Sequence, residues 1–177
     1  MNKRIVTILI PLFVLMSSCT TLDELTQFDM NFALKVTIEP TLKINTPFTI
    51  PTPPVTTNSG VAFSSNNTSK DLVDEIKLSE VKLTVESPND EDFSILKSVE
   101  VYISASGEED TKIAWLENIP VNESVITLDL SDTDLKDFIF NDEFSLKVKT
   151  VTDEAFTESY KVRIDTKVHV DAHILGI

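Results

Sequence analysis

Few residues in this chain are equipped for chemistry: two histidines, one cysteine and a surplus of carboxylates. His169, Asp171 and His173 alternate, so on a β-strand all three side chains share one side. At about 3.3 Å per residue the two imidazoles stand roughly 13 Å apart, too far to share one ion. Either histidine could chelate only together with Asp171 and ligands from other strands. Lys161, Arg163 and Lys167 lie in the same row, which fits a solvated strand face. Carboxylates gather at Asn89–Asp92, at Glu108–Asp110 and at Asp129, Asp132 and Asp134, all at expected strand ends. Calcium takes oxygens from such loops, making Asp90, Asp92, Asp132 and Asp134 the candidate ligands. None of the clusters has Asp-x-Asp-x-Asp-Gly spacing, Asp132 and Asp134 are placed to stabilise a helix start, and acidic turns also keep a protein soluble. No metal or cofactor is therefore assigned. Trp115, Tyr102 and Tyr160 are the aromatics able to stack on a sugar, but Trp115 lies in the most apolar stretch and is expected in the core. Gly-x-Ser-x-Gly, His-Glu-x-x-His, phosphate-cradling and dinucleotide motifs are missing, and the chain reads as a non-enzyme.

The N-terminus carries a different kind of chemistry. Lys3 and Arg4 precede an apolar run from Ile5 to Met16, interrupted by Thr7 and Pro11, and Ser17-Ser18-Cys19 follow. A basic start, a short apolar core and small residues make a secretory leader. The run falls short of the about 20 residues that span a bilayer. Leu15-Met16-Ser17-Ser18-Cys19 resembles the lipobox of bacterial lipoproteins, with Met16 where leucine is usual. That resemblance implies cleavage before Cys19, acylation of its thiol and amine, and attachment to a membrane. Two or three acyl chains, at about 0.8 kcal/mol per buried methylene, hold a protein there almost permanently. Thr20 stands where an inner-membrane retention signal has aspartate, and Asp23-Glu24 is similar to the acidic export signal of Bacteroidota surface lipoproteins. The implied destination is the outer membrane, with the leaflet open. Thr56-Thr57-Asn58, Thr68–Ile76, Phe93–Ile103 and Asp165–Leu175 resemble, in layout, small Bacteroidota lipoproteins that have no established activity. From Ser79 through Ile119-Pro120 to the following strand, the order of elements also resembles the late-embryogenesis-abundant type of sandwich.

Fifteen basic residues against 29 acidic ones give a net charge of −14. Removing residues 1–18 takes away Lys3 and Arg4 and makes it −16. Nucleic acid is excluded as a partner, because phosphate binding needs clustered Lys and Arg. A single cysteine rules out a disulfide framework and CxxC sites. What remains after the leader is the size of one domain. The expected organisation is a signal peptide at 1–18, the lipidated cysteine and a short tether at 19–28, and one domain at 29–177.

Period two dominates that domain. Phe32–Ile38, Val81–Val85, Val99–Ile103, Val125–Leu130, Phe144–Val148 and Tyr160–Ile174 alternate apolar with polar residues, as half-buried strands do. Ile113–Leu116 is apolar throughout and is expected in a central strand. Two helical turns are expected, one over Asp71–Ile76 capped by Ser69, the other behind a Ser131/Asp134 capping box with Leu135, Phe138 and Ile139 inward. Pro40, Pro47, Pro51, Pro53 and Pro54 interleave with Leu42, Ile44, Phe48 and Ile50, which points to short edge strands and not to a solvated stalk. The fold expected is an all-β, two-sheet, immunoglobulin-like β-sandwich, in architecture only, since the immunoglobulin cysteine pair is absent. The functional expectation is a lipid-anchored, non-enzymatic module of the outer membrane that binds or scaffolds an envelope protein or glycan. The alternative is a carrier holding a small apolar ligand or lipid between the sheets.

Overall fold

A computed structural model describes residues 27–173. The expected leader, Cys19, most of the expected tether and Ile174 lie outside the described residues. Ten strands follow in order: β1 (Gln27–Ile38), β2 (Pro47–Pro51), β3 (Val55–Thr56), β4 (Val73–Ser87), β5 (Leu96–Ala105), β6 (Thr111–Glu117), β7 (Val125–Thr127), β8 (Asp129–Leu130), β9 (Glu143–Thr152) and β10 (Tyr160–Ala172). Helix α1 (Ser59–Ser65) joins β3 to β4, and α2 (Lys136–Ile139) precedes β9. The strands form two sheets, β1-β10-β4-β7 and β2-β9-β5-β6-β8, with β3 also on β9 beside β2. Every pairing is antiparallel. The protein is thus the expected all-β, two-sheet sandwich. No helix among the described residues is long and apolar enough to cross a membrane.

Alternation builds the core directly. Met30, Phe32, Leu34, Val36 and Ile38 of β1 point inward, as do Val162, Ile164, Val168 and Val170 of β10 and Val99, Val101 and Ile103 of β5. They join one hydrophobic cluster spanning both sheets. Loops are tied to it by buried threonines: Thr57 donates to the Asn141 carbonyl at 2.7 Å, Thr68 to that of His173 at 2.5 Å and Thr152 to that of Lys43 at 2.6 Å. Part of the proline-rich stretch lies along β9 as the edge strands β2 and β3, with Phe48 and Ile50 half-buried, whereas Leu42 and Ile44, also expected against the sandwich, are exposed.

Several expectations fail for identifiable reasons. Asp71–Ile76 is not a helix: a single 3-10 turn at Lys70–Leu72 runs straight into β4. Val73 pairs with Ala172 and Glu75 with Asp171, so a bulge there puts Val73 and Ile76, three apart, on the same inner side. A second bulge does the same for Leu78 and Val81. Bulges in a strand had imitated helical spacing. The second turn exists, but Ser131 does not cap it; its hydroxyl donates to Thr133, and Asp134 Oδ1 accepts the Lys136 N–H at 3.1 Å instead. Leu135, Phe138 and Ile139 are buried as expected. Val125–Leu130 is not one strand. The chain leaves the four-stranded sheet after β7, buries Leu128, and enters the six-stranded sheet as β8. Helix α1 was not foreseen, since Ser-Gly-Val-Ala-Phe-Ser-Ser is weakly helical. What holds it is Phe63, packed edge-on against Phe28 and Phe140 at 6.1 and 5.9 Å.

Candidate functional site

The outer face of the six-stranded sheet gathers an aromatic and charged cluster that alternation and register place together without burying it. Strand β5 turns Glu100 and Tyr102 outward while its neighbours fill the core. Register sets Glu100 between Trp115 of β6 and Lys149 of β9, and Tyr102 between Lys112 and Lys147. Glu100 is the hub of this array. Its carboxylate lies 3.0 Å from Lys149 Nζ and 3.4 Å from Lys112 Nζ, and accepts the Tyr102 hydroxyl at 3.1 Å. The Lys149 bond above all holds the Glu100 carboxyl below its ordinary range, and Glu100 in turn raises Lys149. Lys112 Nζ also sits 5.3 Å from the centre of the Trp115 ring, a cation–π distance. Lys147 reaches Asp110 at 2.5 Å.

Trp115 is half-buried, which corrects its expected place in the core. A bulge is again the cause. Val101 pairs with Ala114 and Tyr102 with Lys112, leaving Ile113 as an extra residue. Ile113 and Ala114 are consequently both buried, and Trp115 is returned to the outer face. Of the three aromatics weighed as a sugar platform, Trp115 and Tyr102 meet here. Tyr160 does not: it is buried against Phe156, and its hydroxyl donates to Glu91 at 2.7 Å. Burial first, then Glu91, raises its pKa.

The acidic candidates do not converge. Asp90 and Asp92 follow β4 at one end, lining an open, polar cleft of about 650 Å³ with Glu86, Glu91 and Asn122. Asp92 Oδ1 already accepts the Ser94 N–H at 2.7 Å. Asp132 and Asp134 sit at the other end of β4, where Asp132 pairs with Lys77 at 2.7 Å. Asp134 accepts the Ile76 N–H at 3.1 Å and pairs with Lys136 at 3.2 Å. Nor do the histidines form one site: His169 meets Asp29 at 2.9 Å and His173 meets Asp74 at 3.1 Å. Among the described residues no group of three or more His, Cys, Asp or Glu side chains is arranged to hold a metal ion. Cys19 lies outside the described residues.

Space for a ligand was expected between the sheets if the protein were a carrier. The inward rows of both sheets belong to one hydrophobic cluster. A cleft of about 460 Å³ opens at the side of the sandwich, between the end of β1 and β2, and is lined by Thr37, Glu39, Phe48 and Ile50 among others.

Comparison with known proteins adds little to this geometry. No family of known proteins matches the chain, and no curated protein does. A solved structure from Desmodium yellow mottle tymovirus is similar over 85% of this chain and 91% of its own, at 10% identity and a TM-score of 0.23. A score that low supports no inference about fold or function.

Proposed function

We propose that this protein is a lipid-anchored, non-enzymatic binding module of the bacterial outer membrane, and that the outer face of its six-stranded sheet is the binding surface for an envelope glycan or protein. The observation that carries the binding reading is the Trp115–Glu100–Lys149 row beside Lys112 and Tyr102. Recognition surfaces are enriched in Trp and Tyr, whose flat rings offer area at little entropic cost. Around them a carboxylate and lysines supply directed hydrogen bonds. Anchoring is supported by the lipobox-like Leu15–Cys19, which stands only a few residues before Gln27 of β1. At roughly 3.3–3.6 Å per residue, the intervening segment keeps the domain near its lipid.

Two measurements test the reading. Trp115 is the only tryptophan, so its fluorescence reports on this face alone. Titration with solubilised outer-membrane polysaccharide and peptidoglycan fragments should quench or shift the emission, and Glu100→Gln should weaken the response. Silence towards both fractions and towards membrane protein extracts would remove the proposed face. Cys19→Ser should release the protein from washed outer membranes; continued pelleting of the variant would remove the anchor.

A further inference from the structure

Two open sheets have four edges, and three of them are closed to further pairing. β7 has three residues and β8 two, too short to template another strand. The β2 edge is blunted by proline. Thr52 donates its N–H to the Leu146 carbonyl, so by alternation Phe48 and Ile50 also turn their backbone towards β9. Pro47, Thr49 and Pro51 then turn outward, and the two prolines have no N–H to offer. β1 is the exception. It runs for twelve residues without proline or glycine, and no strand among the described residues pairs with its outer edge.

The outward row of β1 complements itself. It reads Gln27, Asp29, Asn31, Ala33, Lys35, Thr37. Laid antiparallel against a copy about a twofold axis at Phe32, Asp29 falls opposite Lys35, Gln27 opposite Thr37 and Asn31 opposite Ala33. Sliding the copy by two residues either way leaves both charges without an opposite partner. Opposite charges across a strand pair stabilise it. Within the monomer Asp29 is already bound to His169 and approaches Lys167 at 3.8 Å, while Lys35 binds Glu86 at 2.6 Å. Pairing at Phe32 would continue that alternation of sign from one sheet into the next. The inward row also matches: Phe28 falls opposite Val36 and Met30 opposite Leu34, extending the core towards the side cleft where Phe48 and Ile50 are half-exposed.

We propose that β1 pairs with β1 of a second copy about this axis, joining the two four-stranded sheets into one of eight strands. Backbone bonds supply the attraction, and the Asp29–Lys35 pairs fix the register. Sedimentation of the full chain in detergent should give the mass of two chains. Lys35→Asp and Asp29→Lys should each sediment as one chain while keeping the wild-type far-UV circular dichroism. Mixed in equal amounts they should recover the two-chain species. In that mixed pair the native Asp29 of one copy still faces the native Lys35 of the other, and the introduced aspartate faces the introduced lysine. Asn31→Cys in one copy and Ala33→Cys in the other should crosslink on mixing. A wild-type chain that stays monomeric at all concentrations, a dimer indifferent to Lys35→Asp, or a charge-swapped mixture that fails to associate each overturns the proposal.

Discussion

Glu100 shows how one carboxylate can organise a face. Its depressed pKa, caused first by the bond to Lys149, means the folded state holds the proton less tightly than the unfolded chain does. Stability from this group is therefore present above the ordinary glutamate range and fades as pH falls through the lowered value. Glu100→Gln should lower stability at pH 7 by about 0.5 kcal/mol, the scale of a partly exposed ion pair. The difference should vanish in acid, below the depressed pKa, as read by urea denaturation at several pH values; a deficit that persists there would point to packing and not charge. Trp115→Ala should cost about 1 kcal/mol, a central value for single substitutions. Phe63→Ala, by contrast, should cost roughly 3–5 kcal/mol, since that ring is 1% exposed. Equal losses in thermal melts would put Trp115 back in the core. Its position was illegible in sequence because apolar runs do not reveal a bulge, and one extra residue reverses every facing that follows.

At the scale of elements, what could be read depended on whether pairing was regular. β1 and the body of β10 keep strict alternation, and their facing follows from sequence alone. The start of β4 breaks it at two bulges and imitates a helix. α1 gave no signal because its stability comes from Phe63 contacts to residues far along the chain. Trp115 and Tyr102 could be named as stacking aromatics from the sequence, but their grouping with Glu100 and Lys149 could not, because Glu100, Trp115 and Lys149 are neighbours only through register. β10 offers the sharpest test, lying between β1 and β4 with one face in the core and one in water. Val168→Asp would bury a carboxylate with no partner and should cost several kcal/mol, enough to unfold a domain of ordinary stability. Lys167→Thr, on the opposite face, should stay within about 0.5 kcal/mol of wild type. Urea midpoints of the two variants decide it, and comparable losses would mean the facing is wrong.

For the whole molecule, the proposed anchor, the aromatic face and the proposed β1 pairing have a joint geometric consequence. A twofold axis relating antiparallel strands of one sheet runs perpendicular to that sheet. Both six-stranded sheets of the proposed dimer therefore lie on the same side, and their Trp115 faces point the same way. The two Gln27 ends lie at opposite ends of a twelve-residue strand pair, about 3.3 Å per residue apart along it. If each copy is anchored at Cys19 as proposed, two tethers so placed reach one bilayer together when the strands lie along its surface. In that pose the dimer has two identical faces turned in one direction, and a polymeric ligand can engage both. The second contact is then intramolecular and raises avidity with no new interaction at either face. Lys35→Asp, which separates the copies, should weaken binding to long polysaccharide by about 10²-fold, the lower range for paired sites. Binding to short oligosaccharide fragments, followed by Trp115 fluorescence, should be unchanged. If both lengths lose affinity equally, the edge and the face are coupled through the fold and not through valency.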